Sequence, residues 1–307
     1  MKKMKTKFFD ICFLALTVLP LVAAMVLRVL LRPLSEGVTV TGAQIYFTIP
    51  MPIQDLPVTE VQVTSLLVVL SLTGLCLFLT NGATKIPHSR RQLLAEMIVE
   101  KIQELTDSNM GPRFSGFAPF IAAILALSAF SSLSSMLGLF PPTSDLNIVA
   151  GWALLVFILI TYYKTRGGVG NYLRDFTKPV AVLTPVNIIG EVATPLSMTL
   201  RHYGNVLSGV VISTMLSVGL SGLSKLIFGW LPGRLGQFPF LEIGIPAVFS
   251  VYFDIFSGCL QAFIFAMLTM MYISNGFPGE AYEARMKRKS ERIAKKKARR
   301  AEKAAVL

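Results

Sequence analysis

Six long apolar stretches separated by short loops constrain this chain more than any other feature of its sequence. The first four are close to the length, about 20 apolar residues, that a helix needs to cross the hydrocarbon core of a bilayer, and the last two are longer. Hydrophobic residues make up 53% of the 307 residues and charged residues only 15%, which excludes an ordinary soluble domain and a disordered chain. The stretches occupy residues 11–27, 61–84, 117–140, 147–163, 179–228 and 238–275. We therefore predict an all-α polytopic membrane protein with about six membrane helices.

Several classes of function are disfavoured by residues that the sequence lacks. The three cysteines, Cys12, Cys76 and Cys259, all fall inside apolar stretches and suggest no disulfide framework. No GxxxxGK(S/T) motif occurs, so no nucleotide site of that kind is encoded. A membrane cytochrome is disfavoured, because the sequence has only two histidines, His88 and His202. We predict no metal, no cofactor and no catalytic site of the chain's own.

The basic residues indicate that both ends of the chain face the cytoplasm, because Lys and Arg concentrate in cytoplasmic loops. Four lysines precede the first stretch, and loops 81–113 and 164–178 contain five and four basic residues. Loop 33–60 contains no Lys or Arg and lies outside in this topology. Arg28 and Arg32 do not fit this topology, because they lie at the outer end of the first stretch. A cleaved signal peptide is therefore an alternative to a retained first helix.

Two smaller elements are predicted in the loops. Residues 89–105 carry apolar side chains at helical spacing after a capping-box start at Ser89 and Gln92, which predicts a helix on the cytoplasmic membrane surface. Its apolar residues are Leu93, Leu94, Met97, Ile98, Ile102 and Leu105. Residues 38–49, VTVTGAQIYFTI, alternate as in a small β-hairpin outside the membrane.

The chain divides into one membrane domain, residues 1–280, and a basic cytoplasmic tail, residues 281–307. Residues 276–307 hold 11 Lys and Arg against 4 Glu, which supplies +7 of the net charge of +12. A nucleic-acid partner is a weak interpretation of this tail. Contact with anionic lipid and a freely solvated tail stay open as the two main alternatives.

Ionisable residues inside the apolar stretches are candidates for function, because each costs at least ~2.5–3.5 kcal/mol in hydrocarbon. Arg201 has apolar residues for more than two helical turns on either side. At 100° per residue it shares a face with small and polar residues, namely Thr194, Ser197, Gly204, Asn205 and Ser208. Either this face meets a moving partner, or it is a packing seam in which Arg201 is permanently paired with Asp254 or Glu191.

The last stretch has a similar face, formed by Ser250, Asp254, Ser257, Gly258 and Gln261. An Asp in a membrane helix is typical of a proton or ion relay, or of the partner of a cation. Lys225 and Glu242 lie near the outer ends of their stretches and can reach the interface. Stretch 179–228 is too long for a perpendicular crossing, so it must break, at Pro185 or Pro195, or lie strongly tilted.

The motifs PLSMTLRHYGNVLSG (195–209), LQAFIFAMLTMMYIS (260–274) and GLFPPTSDLN (138–147) resemble subunit a of the F-type ATP synthase. The resemblance covers about residues 61–276. It implies that the last two membrane helices, 179–275, form a long tilted hairpin against a ring of c subunits, each with one ion-binding carboxylate. It also implies two ion half-channels, a peripheral stalk subunit b as a further partner, and a multi-pass location in a bacterial plasma membrane.

The same resemblance assigns roles to individual residues. Arg201 matches the obligatory Arg between the half-channels, Asn205 the motif Asn four residues later, and Gln261 the motif Gln of the partner helix. Many relatives place an acid nine residues after the Arg, where this chain has Val210. We hypothesise that Asp254 replaces that acid as the relay of the outer half-channel.

Three further residues complete the predicted ion path. Ser208 lies on the Arg201 face, Glu191 either lines the cytoplasmic half-channel or forms a structural pair, and His202 lines the path or packs beside it. A secondary transporter is the main alternative, but it predicts paired broken helices or repeated halves, and we find neither. Whether protons or sodium ions move is left open by the sequence.

Overall fold

The structure, a computed structural model, describes residues 2–31, 43–52, 55–85, 89–178, 180–230, 241, 248–249 and 251–305. At 2–7, 31 and 295–305 it describes the backbone alone. Glu242 and Ser250, which the sequence placed in the last membrane stretch, lie outside the described residues.

Six helical spans in the described residues are long and apolar enough to cross a membrane, which confirms the predicted fold class. The helices that form them are α1 (Lys2–Leu31), α2 (Glu60–Thr80), α4 (Ala118–Leu133), α5 (Leu146–Lys164), α7 (Thr184–Phe228) and α8 (Gly258–Gly276). A π-helical turn, Val251–Ser257, leads directly into α8. The remaining helices are α3 (Arg90–Met110), α6 (Val169–Asp175) and α9 (Gly279–Ala305), so the predicted basic tail is helical as far as Ala305.

The first two helices pack against each other over small residues. A Cβ added at Gly74 of α2 would lie 2.7 Å from the backbone nitrogen of Thr17, so only glycine permits this approach. The hydroxyl of Ser71 donates a hydrogen bond to the backbone oxygen of Thr17 at 2.6 Å. Small residues allow helices to approach closely in membranes, where helix association depends on packing and hydrogen bonds.

Ion pairs tie both ends of α1 to its neighbours. Near the C-terminal end of α1, the Nε of Arg28 lies 3.3 Å from Glu60, whose side chain is 5% exposed, and Arg28 also donates to the carbonyl of Gly138. At the other end, Arg91 of α3 lies 2.7 Å from Asp10. Arg28 thus disagreed with the charge rule for orientation because it neutralises a buried carboxylate.

The helix predicted over residues 89–105 is present, and the predicted hairpin is present only in part, because its second strand lies outside residues 38–49. α3 begins at the capping serine, where Ser89 Oγ accepts a hydrogen bond from the backbone N–H of Gln92. In the loop before α2, β1 (Ile45–Ile49) pairs antiparallel with β2 (Leu56–Thr59). The hairpin therefore uses the second half of the alternating segment, and residues 38–42 lie outside the described residues.

The main core is formed where α4, α5, α7 and α8 meet. Its fully buried members include Ile121, Val156, Phe265, Met270 and Ile273. α8 approaches α4 closely, since a Cβ added at Gly258 would lie 2.8 Å from the Cβ of Ser132. This packing leaves one long face of α7 outside the core.

α7 is one unbroken helix of 45 residues, although Pro195 lies inside it. Pro185 occupies its first turn, where a missing N–H is tolerated. At 1.5 Å per residue, 45 residues span about 70 Å, more than twice the ~30 Å hydrocarbon core. The sequence left a break or a strong tilt as alternatives for this stretch. Because the helix is unbroken over 184–228, a break is wrong there, and a strong tilt remains.

Candidate functional site

α7 and the last helix are held in register by a hydrogen-bonded pair of polar residues. Ser257 donates from its hydroxyl to Oδ1 of Asn205 at 2.9 Å, and Nδ2 of Asn205 donates to the backbone oxygen of Ser257 at 3.4 Å. One turn away, a Cβ added at Gly209 would lie 3.3 Å from the side chain of Phe253. Asn205 and Gly209 are four residues apart on α7, and Ser257 and Phe253 are four apart in the opposite direction, so the two helices run antiparallel here.

This register places Gln261 opposite Arg201. Moving one turn back along α7 from Asn205 reaches Arg201, and moving one turn forward from Ser257 reaches Gln261. Gln261 is 5% exposed and so lies in the packed part of this helix pair. The two motif residues that lie 60 positions apart in sequence are thus neighbours in the helix register.

Arg201 lies on the exposed side of α7. Ser197, Gly204 and Ser208, which share its face, are exposed as well, and a Cβ added at Gly204 would meet nothing within 4 Å. Among the residues that the structure describes, none forms an ion pair or hydrogen bond with Arg201. Glu191, one of the two carboxylates expected as a fixed partner of Arg201, has another partner.

That partner is Lys164, at the last turn of α5. Its Nζ lies 2.7 Å from both carboxylate oxygens of Glu191, and the hydroxyl of Tyr172 donates to the same carboxylate at 3.4 Å. The pair borders a cavity of about 220 Å³ that Thr194, Tyr272 and Asn275 also line. Glu191 therefore forms an ion pair within the chain and also borders a small cavity.

His202 points into the core, away from the Arg201 face. It is fully buried, and its ring lies edge-on to Trp152 and Phe265 at 6.2 and 5.7 Å between centroids. Its Nε2 lies 3.4 Å from the hydroxyl of Ser128. Its Nδ1 is buried without a hydrogen-bond partner among the described residues.

Asp254 lies in the π-helical turn that precedes α8, three residues before Ser257. π-Helical turns are rare and occur frequently at functional sites, because the extra residue displaces side chains from the regular helical face. Asp254 is half-buried, and Phe253 beside it packs on Gly209 of α7. The carboxylate is thus carried by the segment that contacts α7 one to two turns beyond Arg201.

The sequence reasoning missed a polar row on α4. Ser128, Ser131 and Ser132 are buried side by side on this membrane helix. Ser132 lies 3.4 Å from the hydroxyl of Thr143, and Ser131 has a buried hydroxyl without a partner among the described residues. The available signal was the run SAFSSLSS at 128–135, where five hydroxyl groups fall in eight residues of an apolar helix.

The described residues offer no cluster of three or more His, Cys, Asp or Glu side chains that could hold a metal ion. The polar groups near Arg201 are amides, hydroxyls and single carboxylates.

Comparison with known proteins gives a family for this arrangement. Residues 62–274 match the family model described as ATP synthase A chain. The chain is 30% identical over 220 residues to ATP synthase subunit a of Acidothermus cellulolyticus, covering 68% of this chain and 73% of that protein. It is 32% identical over 211 residues to ATP synthase subunit a of Bacillus pumilus, covering 64% and 83%. This chain therefore belongs to the ATP synthase A chain family.

Proposed function

We propose that this chain is the stator subunit of an ATP synthase membrane motor, in which Arg201 couples ion flow to rotation of a c ring. The carrying observation is the position of Arg201 on the exposed face of α7, without a partner among the described residues. Other cations near the ends of membrane helices, Arg28 and Lys164, are paired with carboxylates of the same chain. A guanidinium left open at membrane depth needs a carboxylate from another protein.

The exposed face around Arg201 is suited to a passing helix. Gly204 and Ser208 follow Arg201 on this face, and their small side chains allow another helix to approach closely. Because α7 is much longer than the bilayer is thick, it crosses obliquely and presents this face along a curved partner. A ring of c subunits is such a partner, and each subunit supplies one carboxylate.

The chemistry follows from the cost of charge in lipid. A ring carboxyl that holds a proton can face lipid, because desolvation disfavours its charged form. Beside Arg201 the carboxylate form becomes tolerable, because an opposite charge lowers the carboxyl pKa. Each carboxyl therefore releases its ion on reaching Arg201 and takes up another after passing it. The membrane potential contributes ~2.3 kcal/mol per charge per 100 mV to the direction of rotation.

Arginine suits this position because its guanidinium stays protonated under all physiological conditions. It cannot accept a proton from one half-channel and pass it to the other, so it blocks a direct leak. Gln261, opposite Arg201 in the helix register, carries an uncharged amide, which does not neutralise the guanidinium. If Arg201 were instead paired with a carboxylate of the chain itself, its charge would be held fixed and the ring would stop.

Two sets of polar residues are our candidates for the half-channels. On one side, the cavity beside Glu191, which Thr194 and Tyr272 also line, lies between α5, α7 and α8. On the other side, Asp254 and the hydroxyl row of α4 that ends at His202 provide polar groups at membrane depth. The basic loops assign the first set to the cytoplasmic side and the second to the outer side.

The chain functions within a larger membrane complex. The partners are the c ring, the peripheral stalk subunit b and the lipid bilayer, and the nucleotide chemistry takes place on other subunits. The chain is a multi-pass protein of a bacterial plasma membrane with a cytoplasmic C-terminus. Its relatives from bacteria and its apolar helices support this location.

Cysteine cross-linking tests the proposed ring face. In a chain whose own Cys12, Cys76 and Cys259 are replaced, Ser208→Cys is expected to form a disulfide with a cysteine on the c-subunit helix. The matched control is Ser128→Cys, which replaces a buried hydroxyl inside the bundle and should not cross-link. Cross-linking at Ser128 but not at Ser208 would contradict the assignment of the face.

A further inference from the structure

An aromatic cavity with two arginines lies at the end of the bundle where α4 begins and α5 ends. It has a volume of about 430 Å³ and lies between the turn Pro112–Phe117, the end of α5 and the start of α9. Arg113 and Arg166 supply its positive charge, and its aromatic lining includes Tyr163, Phe277 and Tyr282. None of these residues belongs to the proposed ion path.

The two guanidinium groups are held in place by aromatic rings. Arg113 lies over the ring of Phe277 at 5.4 Å, and Arg166 over the ring of Tyr162 at 4.7 Å. The Nε of Arg166 is buried and has no hydrogen-bond partner among the described residues. Its Nη2 donates a hydrogen bond to the hydroxyl of Tyr162, so a ring and a hydrogen bond together hold this guanidinium beside the cavity.

The ion pair that Arg113 makes leaves room for a further anion. Its guanidinium lies 2.6 Å from Glu283, but the two side chains are 49% and 67% exposed. Exposed pairs of this kind contribute about 0–1 kcal/mol, so a phosphate oxygen can join Arg113 or displace Glu283 at little cost. Arginine binds phosphate with paired, charge-assisted hydrogen bonds.

The cavity continues into an apolar groove on the membrane face of α4 and α5. Gly116 and Phe117 line both the cavity and the groove, which has a volume of about 610 Å³ and is otherwise lined by Phe120 and by apolar residues of α5. Along α5 the groove runs from Gly151 to Leu159, which is about 12 Å at 1.5 Å per residue. One leaflet of the hydrocarbon core is about 15 Å deep, so the groove has the length of an acyl chain in one leaflet.

The groove is open because two positions lack side chains. A Cβ added at Gly116 or at Gly151 would meet nothing within 4 Å. Neither glycine has a positive φ, so the backbone does not require glycine at these places. A larger residue at Gly116 would therefore fill the groove without straining the helix.

We propose that this cavity and groove bind one anionic glycerophospholipid, with its phosphate at Arg113 and Arg166 and an acyl chain between α4 and α5. This site differs from a general basic surface, because its basic, aromatic cavity adjoins an apolar groove one leaflet deep. Basic cavities between membrane helices bind anionic headgroups in this way. In the orientation that the basic loops predict, the lipid belongs to the cytoplasmic leaflet.

The first test uses the assembled complex, exchanged into mixed micelles of phosphatidylglycerol and phosphatidylcholine, with bound lipid counted by native mass spectrometry. Arg113→Gln should lower retained phosphatidylglycerol roughly tenfold, the size expected for losing a charged hydrogen-bond partner. Glu283→Gln breaks the same ion pair but leaves the charge of Arg113, and it should retain as much phosphatidylglycerol as the wild type or more. An equal loss in both variants would mean that the pair has a structural role only, and would overturn the proposal.

A second basic variant and a groove variant complete the test. Arg174→Gln, on α6 and outside the cavity lining, should leave lipid retention unchanged, and a loss as large as that of Arg113→Gln would indicate general surface charge instead. Gly116→Leu should lower retention of both phospholipids, because it fills the groove. Excess inorganic phosphate should not release phosphatidylglycerol from the wild type. Full release by phosphate, together with normal retention in Gly116→Leu, would identify a free-phosphate site and overturn the lipid assignment.

Discussion

The hydroxyl of Ser257 donates a hydrogen bond to the side-chain oxygen of Asn205 at 2.9 Å, and this pair fixes the register between α7 and the last membrane helix. The amide of Asn205 returns a longer bond to the backbone of Ser257. Because Arg201 lies one turn before Asn205 and Gln261 one turn after Ser257, the pair determines which residue faces Arg201.

Removing either partner of this pair should have closely related effects. We expect Asn205→Ala and Ser257→Ala each to lower the thermal stability of the purified complex, and their double variant to be no worse than Asn205→Ala alone. The coupling between the two sites should be about 0.5–1.5 kcal/mol, the net value of one hydrogen bond. Strictly additive losses would show that the two side chains do not depend on each other.

Two glycines of α7 should respond differently to a larger side chain. Gly209→Val should separate α7 from Phe253 and lower the stability of the chain itself, because the added Cβ lies only 3.3 Å from that ring. Gly204→Leu should leave the chain stable and inserted but prevent assembly with the c ring, since its Cβ meets nothing within the chain. Blue native electrophoresis separates assembly from insertion. A fully assembled, active Gly204→Leu complex would contradict a ring on this face.

The ion pair at the outer end of α1 should matter for stability through its buried carboxylate. Arg28→Met leaves Glu60 buried without its cation and should destabilise the chain by roughly 1–3 kcal/mol. Adding Glu60→Gln should restore much of this loss, because it removes the orphaned charge. Thermal denaturation of the purified complex measures both effects. If the double variant is less stable than Arg28→Met alone, the stabilising contact of Glu60 is not with Arg28.

The membrane helices could be predicted from sequence, whereas most charge pairings could not. Hydropathy depends on local composition, and it located all six spans and the end of the long α7 at Phe228, although α7 begins at Thr184 and not at 179. Arg28 looked like an exception to the charge rule because its partner Glu60 lies 32 residues away, beyond a loop that no local pattern describes. Glu191 was a candidate partner of Arg201, because nothing in the sequence shows that Lys164, at the end of α5, pairs with Glu191 instead.

The Arg201 face and its opposite residue show where periodicity succeeds. The small and polar stripe followed from the 100° helical rotation, and the structure leaves Arg201, Gly204 and Ser208 exposed together. The π-helical turn at Val251–Ser257 could not be predicted, because its extra residue depends on packing against α7. The hydroxyl row of α4 was missed although Ser128, Ser131 and Ser132 stand at the helical spacing of one face, because only ionisable residues were taken as candidates inside the apolar stretches.

Asp254 is expected to carry protons in the outer half-channel. Asp254→Ala and Asp254→Asn should both lower ATP-driven acidification of inverted membrane vesicles, because neither side chain can accept and release a proton. If the carboxylate served packing or hydrogen bonding alone, Asn would restore acidification while Ala would not. Unchanged acidification in both variants would remove Asp254 from the path.

The most direct test of the account replaces Arg201 with Ala and measures coupled ATP synthesis and passive proton leak in the same vesicles, with Arg201→Lys as the charge-conserving comparison. The account predicts an assembled complex that has lost ATP synthesis and leaks protons, because the barrier between the half-channels is gone and ring carboxylates no longer meet a fixed cation. Normal coupling in Arg201→Ala, with the complex intact, would contradict the claim that this guanidinium couples ion flow to rotation.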